Sequence, residues 1–219
     1  MSTAIESFLE IQLQNLKSIN DRKSLSEWHK KYALGWCSNA QGLSDSANET
    51  FDLSGKQKEQ PHLAYLAVEA EEKDRPKKPV ILLSLNPSYD ALTSPNFLKV
   101  MGQDIENNTV DAEKYDEFRR AFFPRFINEV VKPVKPRGGS WWNKALAFVH
   151  LVAGSTKPKG MAKVDDNVDV IGWEISPLRS NKDGITKAMK THTILKDFAK
   201  ESINAALRVD SQCVVLASR

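Results

Sequence analysis

Apolar positions along this chain switch between a helical period and short unbroken runs. Ile5, Phe8, Leu9, Leu16 and Ile19 recur at helical spacing behind Thr3-Ala4-Ile5-Glu6, which has the form of a capping box. Ser24-Leu25-Ser26-Glu27 forms a second such box ahead of Leu25, Trp28 and Tyr32, and Gly35 is the expected stop of that helix. From Ser38 to Gln60 the chain is polar and carries Gly, Ser, Asn and Asp, as a loop or linker does. His62 to Ala70 alternates weakly and fits an edge strand or a helix. Lys73 to Pro79 is a charged turn. Pro79 to Leu85 is then an apolar run with β-branched members, which predicts a strand buried on both faces. It stops at Asn86-Pro87-Ser88, a turn opener, because proline brings no ladder donor.

Further on, Asp111 to Val131 places Tyr115, Phe118, Phe122, Phe126 and Val130 on one helical face, with a kink or break expected at Pro124. Ser140 is a candidate cap for a helix carrying Trp141, Trp142, Ala145, Leu146 and Val149, with Gly154 as its stop. Val168 to Ile175 predicts a second buried strand. Thr186 to Leu207 is the cleanest helix, with Leu195, Phe198, Ala199, Ser202, Ile203, Ala206 and Leu207 in register. Gln212 to Ala217 predicts a third buried strand. No internal repeat is present.

This order of strand, helices, strand, helix, strand predicts an α/β layer fold with a parallel sheet and right-handed crossovers. In such sheets ligands gather at the carboxyl ends of the strands, which is where Asn86 falls. Asn-Pro-Ser also serves well as a plain turn cap. The third strand has no helix after it. The expectation is a domain that is incomplete at its C-terminal side, or a homo- or hetero-oligomer that completes the sheet edge.

Composition narrows the classes. Hydrophobic content of 41% and charged content of 27% suit an ordinary folded domain. No apolar run approaches the roughly 20 residues of a membrane helix, and the N-terminus has no signal-type apolar core. The two cysteines, Cys37 and Cys213, suit a reducing, cytoplasmic setting. No Cys/His cluster suggests a metal, and no glycine-rich phosphate loop suggests a nucleotide cofactor, so neither is expected. The net charge of +3 says little by itself. Two basic loops, Lys132 to Arg137 and Lys157 to Lys163, are candidates for phosphate contacts, or simply for solvated, solubilising charge.

The motifs occur in an order that resembles the uracil-DNA glycosylase superfamily in its broad sense. Ser84-Leu85-Asn86-Pro87-Ser88-Tyr89 matches the family's first motif, a strand running into an Asn-Pro turn. Ser140-Trp141-Trp142-Asn143 looks like its aromatic-led helix. Trp173-Glu174-Ile175-Ser176-Pro177-Leu178-Arg179-Ser180 resembles its second strand and turn, and Thr186 to Leu216 its following helix and strand. The resemblance covers about residues 79 to 219. It implies a three-layer α/β/α domain over residues 76–219, with a short, mainly parallel sheet, preceded by a helical extension and linker over residues 1–75.

That resemblance also implies roles. Asn86 would position water beside a flipped nucleotide, and an amide orients water without acting as a strong base. Pro87, Ser88, Tyr89, Glu174, Arg179 and Trp142 would line the pocket, with Tyr89 stacking on a base or packing on the insert. The family's base-reading Asn aligns near Glu174. An ionised carboxylate only accepts hydrogen bonds, so it favours a cytosine or adenine amino group over uracil O4. A structural ion pair between Glu174 and Arg179 is the plainer alternative. The family's His-Pro-Ser type motif is not found, and His29, His62, His150 and His192 all lack its context. His150 reads as a surface or capping residue, and His192 shows no partner in the sequence. The implied activity is N-glycosidic hydrolysis of a non-uracil or modified base in nucleic acid, most naturally DNA. The alternatives are a non-catalytic nucleic-acid or protein-binding module on the same scaffold, and a generic α/β domain acting on a small molecule.

Overall fold

The computed structural model describes residues 2–39, 42–43, 45–46, 77–84, 99–100, 102–104, 109–120, 141–156, 165, 167–178, 190–209 and 214–217. Helix α1 (Ala4–Lys17) opens with the expected capping box. Glu6 Nα donates to Thr3 Oγ1 at 3.3 Å, and Thr3 Nα donates to Glu6 Oε2 at 2.9 Å. Helix α2 (Arg22–Ser38) starts earlier than its sequence suggests. Its cap is Asp21 rather than Ser24: the Ser24 amide donates to Asp21 Oδ1 at 2.8 Å, one of the first-turn donors that lack an intrahelical acceptor. Gly35 does not stop α2, which runs on to Ser38. The edge of Phe8 packs over Gly35, where an added Cβ would stand 3.5 Å from it, and the Phe8 ring also contacts Tyr32 and Trp36. That packing offsets the roughly 1 kcal/mol by which glycine disfavours a helix interior.

Part of the expected loop after Ser38 is helical. Residues 42–43 and 45–46 have helical backbone, Leu43 is buried, and Ser46 Oγ accepts from the Ile5 amide at 3.3 Å. The segment from His62 to Ala70 lies outside the described residues.

Strand β1 (Lys78–Ser84) is the middle of a three-stranded sheet. Strand β2 (Gln103–Asp104) and strand β3 (Thr109–Val110) form a small antiparallel pair. Helix α3 (Ala112–Arg120) follows, capped by Asp111, and buries Tyr115 and Phe118 as predicted; Phe122, Pro124, Phe126 and Val130 lie outside the described residues. Helix α4 (Trp141–Ala153) ends at Gly154 as predicted. There the Ser155 amide donates to His150 O at 2.8 Å and the Gly154 amide to Leu151 O at 3.1 Å, a Schellman closure.

Strand β4 (Val168–Glu174), helix α5 (Thr193–Val209) and strand β5 (Val214–Ala217) are the remaining regular elements among the described residues. The sheet order is β4-β1-β5, all parallel, so the chain is an α/β protein. Both faces of β1 and β4 are buried, which is why their sequences run apolar without alternation. Pro79 stands one residue inside the start of β1, ahead of the first described pairing with β5, Val80 with Val214.

In a parallel register paired residues share a face. Leu83 and Trp173 therefore point to one side of the sheet, and Ser84 and Glu174 to the other. On the first side Trp173 stacks on Trp28 of α2 at 6.0 Å between ring centroids, and Tyr32 and Phe198 extend the cluster. The N-terminal helices thus share one apolar core with the sheet. Helix α4 also packs against β1 and β4.

Helix α5 buries Leu195, Phe198, Ala199, Ser202 and Ala206 of its predicted stripe, but not all of it. Ile203 and Leu207 are exposed, while Ser202, Ala205, Ala206 and Val209 are buried. Small residues face in because α5 lies close along α1. Among the described residues no helix is long and apolar enough to cross a membrane.

Candidate functional site at the carboxyl edge of the sheet

Two polar side chains end the two paired strands. Ser84 closes β1 and Glu174 closes β4 as direct register partners. The chain holds the two ends together with one further bond, from the Ile175 amide to Ser84 O at 2.9 Å. Both residues are buried, Ser84 at 8% exposure and Glu174 at 7%. Burying a carboxylate is costly unless its neighbourhood supplies hydrogen bonds or opposite charge, so its presence at a strand end is informative. Beyond Glu174, the Ser176 hydroxyl bridges the turn. It accepts from the Leu178 amide at 3.2 Å and donates to Leu178 O at 3.3 Å. That local ring fixes the path of Pro177 and Leu178, both buried.

Of the residues that the sequence singles out, Glu174 is placed at this edge. Asn86, Pro87, Ser88, Tyr89 and Arg179 lie outside the described residues. So do the two basic loops and Cys213. Trp142 lies on α4, with its side chain outside the description. Ser84 is a polar residue of this edge that pattern reading treats only as the tail of an apolar strand. Its parity with Glu174 becomes visible once the strand register is known.

A second polar cluster joins α4 to the start of β4. His150 Nδ1 lies 2.9 Å from Ser155 Oγ and 3.4 Å from Asp165 Oδ2, and Ser155 Oγ also donates to Asp165 Oδ2. His150 is buried in the last turn of α4, not on the surface. The hydrogen bond from Ser155, followed by that from the Asn167 amide, holds the Asp165 carboxyl below its ordinary range. The residue types are those of a serine hydrolase, but the geometry is not. There the acid and the nucleophile use opposite ring nitrogens of histidine, whereas here both meet Nδ1. The cluster is a clasp between elements.

His192 does have a partner: its Nε2 lies 3.2 Å from Glu6 Oε1, tying the entry of α5 to the capping box of α1. His29 packs edge-on against Trp28 and Trp173, on the sheet face away from Glu174. Among the described residues, no group of three or more His, Cys, Asp or Glu side chains could hold a metal ion.

Comparisons with protein-family models, with curated proteins and with solved structures find no match.

Proposed function

We propose that this chain is a nucleic-acid-directed protein on a three-layer α/β/α scaffold of the uracil-DNA glycosylase type. It removes a base other than uracil by N-glycosidic hydrolysis after flipping the nucleotide out of its stack. The observation that carries this reading is the buried carboxylate of Glu174 at the carboxyl end of β4, level with the end of β1. Strand β1 leads directly into Leu85-Asn86-Pro87-Ser88-Tyr89. The parallel order β4-β1-β5 supports the same reading, because it makes the strand before Asn86 the central one.

In this mechanism Asn86 orients a water molecule toward the sugar carbon that bears the base. The carbon–nitrogen bond breaks, the hydroxyl stays on the sugar, and the base leaves with its electron pair and takes up a proton. Glu174 holds the amino edge of the leaving base. Arg179, Tyr89 and Trp142 complete the pocket. The alternative is a binding module without turnover, favoured by a carboxylate where the family's reader is an amide.

The test is an abasic-site assay. Single- and double-stranded oligonucleotides, each carrying one candidate base, are incubated with the full chain and the abasic sites are cleaved with alkali. Strand cleavage that Asn86→Ala abolishes supports the hydrolase. Salt-dependent binding without cleavage assigns the binding module. Neither binding nor cleavage overturns both.

A further inference from the structure

Ser84 has a property that the glycosylase-like reading leaves unused. Its hydroxyl oxygen is buried and, among the described residues, has no hydrogen-bond partner. Ser176, two residues beyond Glu174, has its hydroxyl fully engaged within its own turn. Buried hydroxyls are normally paired, because leaving one unmade forfeits the hydration it had in the unfolded chain. Ser84 stands beside Glu174 on the same sheet face, on neighbouring strands that run about 4.8 Å apart.

We infer that Ser84 and Glu174 together form a two-point reader for a heterocycle edge on which an exocyclic amino group adjoins an unprotonated ring nitrogen, the edge of cytosine and adenine. This inference rests on the nucleobase-directed reading proposed above. The Glu174 carboxylate accepts from the amino group, and Ser84 Oγ–H donates to the ring nitrogen. Uracil and thymine present a carbonyl and an N–H at the same places. A hydroxyl rotates to accept from that N–H, but a carboxylate cannot donate to the carbonyl. Discrimination therefore falls mainly on Glu174, and Ser84 adds hold and register.

The experiment measures fluorescence anisotropy of single-stranded oligonucleotides that differ only at one central base: cytosine, adenine, uracil or thymine. The wild-type chain is expected to favour cytosine or adenine over uracil and thymine by about tenfold or more. Glu174→Gln, nearly isosteric and able to donate, shifts the preference toward uracil. Ser84→Ala weakens binding of cytosine and uracil oligonucleotides alike, by several-fold, and leaves their ratio close to wild type. Equal binding of all four oligonucleotides overturns the inference and leaves the nucleic-acid reading standing. So does a preference that Glu174→Gln leaves unchanged, or an affinity that Ser84→Ala leaves unchanged, while both variants keep the wild-type circular dichroism. No binding to any oligonucleotide overturns both. Should Glu174→Gln fail to fold, the wild-type preference and the loss of affinity in Ser84→Ala decide the matter.

Discussion

Arg208, at the end of α5, caps the end of α1: its Nη2 donates to Leu16 O at 2.8 Å and its Nε to Ile19 O at 3.2 Å. The last carbonyls of a helix have no intrahelical donor and carry the negative end of its dipole, so a guanidinium suits them on both counts. With His192 meeting Glu6 at the other end, α1 and α5 run parallel and are tied at both ends. Arg208→Ala is expected to destabilise the chain by about 1–3 kcal/mol, as for hydrogen bonds from a charged donor. Arg208→Lys should fall between, since one ammonium cannot reproduce the fork. The contact with Glu201, at 3.9 Å and partly exposed, adds little. Urea denaturation gives the stabilities, and faster amide exchange at the end of α1 would localise the loss. An Arg208→Ala chain as stable as wild type would refute the cap.

Gly102 and Gly154 share a left-handed backbone, with φ of +78° and +76°, but differ in surroundings. Among the described residues, a Cβ at Gly154 would meet nothing within 4 Å. Gly154→Ala should therefore cost only the backbone term, about 1–2 kcal/mol, and Gly154→Asn less. A Cβ at Gly102 would stand 2.8 Å from Lys114 Cβ and 2.9 Å from Asp111 O. The backbone cannot retreat easily, because the Asp111 amide donates to Gly102 O at 2.8 Å. Gly102→Ala should be clearly the worse of the two in urea unfolding, and the reverse ranking would contradict this account.

The buried strands, and the helices that use large apolar residues, were legible in the sequence, because unbroken Val-Ile-Leu runs and a Thr-x-x-Glu box have few alternative readings. Two things were not. Small-residue packing hid part of the inward stripe of α5, where Ala205 faces in and Leu207 faces out. Long-range polar pairs were invisible as well. Glu6 with His192, Arg208 with Leu16, and Tyr115 with the His29 carbonyl join residues that no periodicity connects. At the candidate site, Glu174 was visible as a charge inside an apolar run. Ser84 needed the register that sets it beside Glu174.

The Trp28–Trp173 stack joins α2 to the sheet, and Trp28 also stacks on Tyr32 at 5.0 Å. Trp28→Ala should cost about 3–5 kcal/mol, a large share of the roughly 5–15 kcal/mol that a domain has in total. Trp28→Phe should cost far less. It keeps a ring in the stack and removes an indole N–H that is buried without a hydrogen-bond partner among the described residues. Near-ultraviolet circular dichroism would report loss of the coupled rings, and chemical denaturation the energies. Equal costs for the two variants would show that ring packing is not what holds this junction.

The clasp of His150, Ser155 and Asp165 predicts how stability responds to acid. Asp165 is held below its ordinary range in the folded chain, first by the Ser155 hydroxyl and then by the Asn167 amide. Its folded pKa is thus lower than its unfolded value, which lies near 3.9 for an aspartate. A carboxyl shifted in that direction stabilises the fold fully above the unfolded pKa. The contribution is lost as pH falls through the folded pKa. Glu6, Asp21 and Asp111 are shifted in the same direction, so the wild-type chain alone does not isolate the clasp. Asp165→Asn does, by difference. It should lower the thermal midpoint at neutral pH and leave a shallower fall in midpoint below about pH 5. Ser155→Ala, which keeps the carboxyl but removes the largest cause of its shift, should raise the Asp165 titration midpoint followed by carboxyl carbon NMR. If Asp165→Asn and wild type lose stability in parallel through the acid range, the clasp contributes no proton-linked stability.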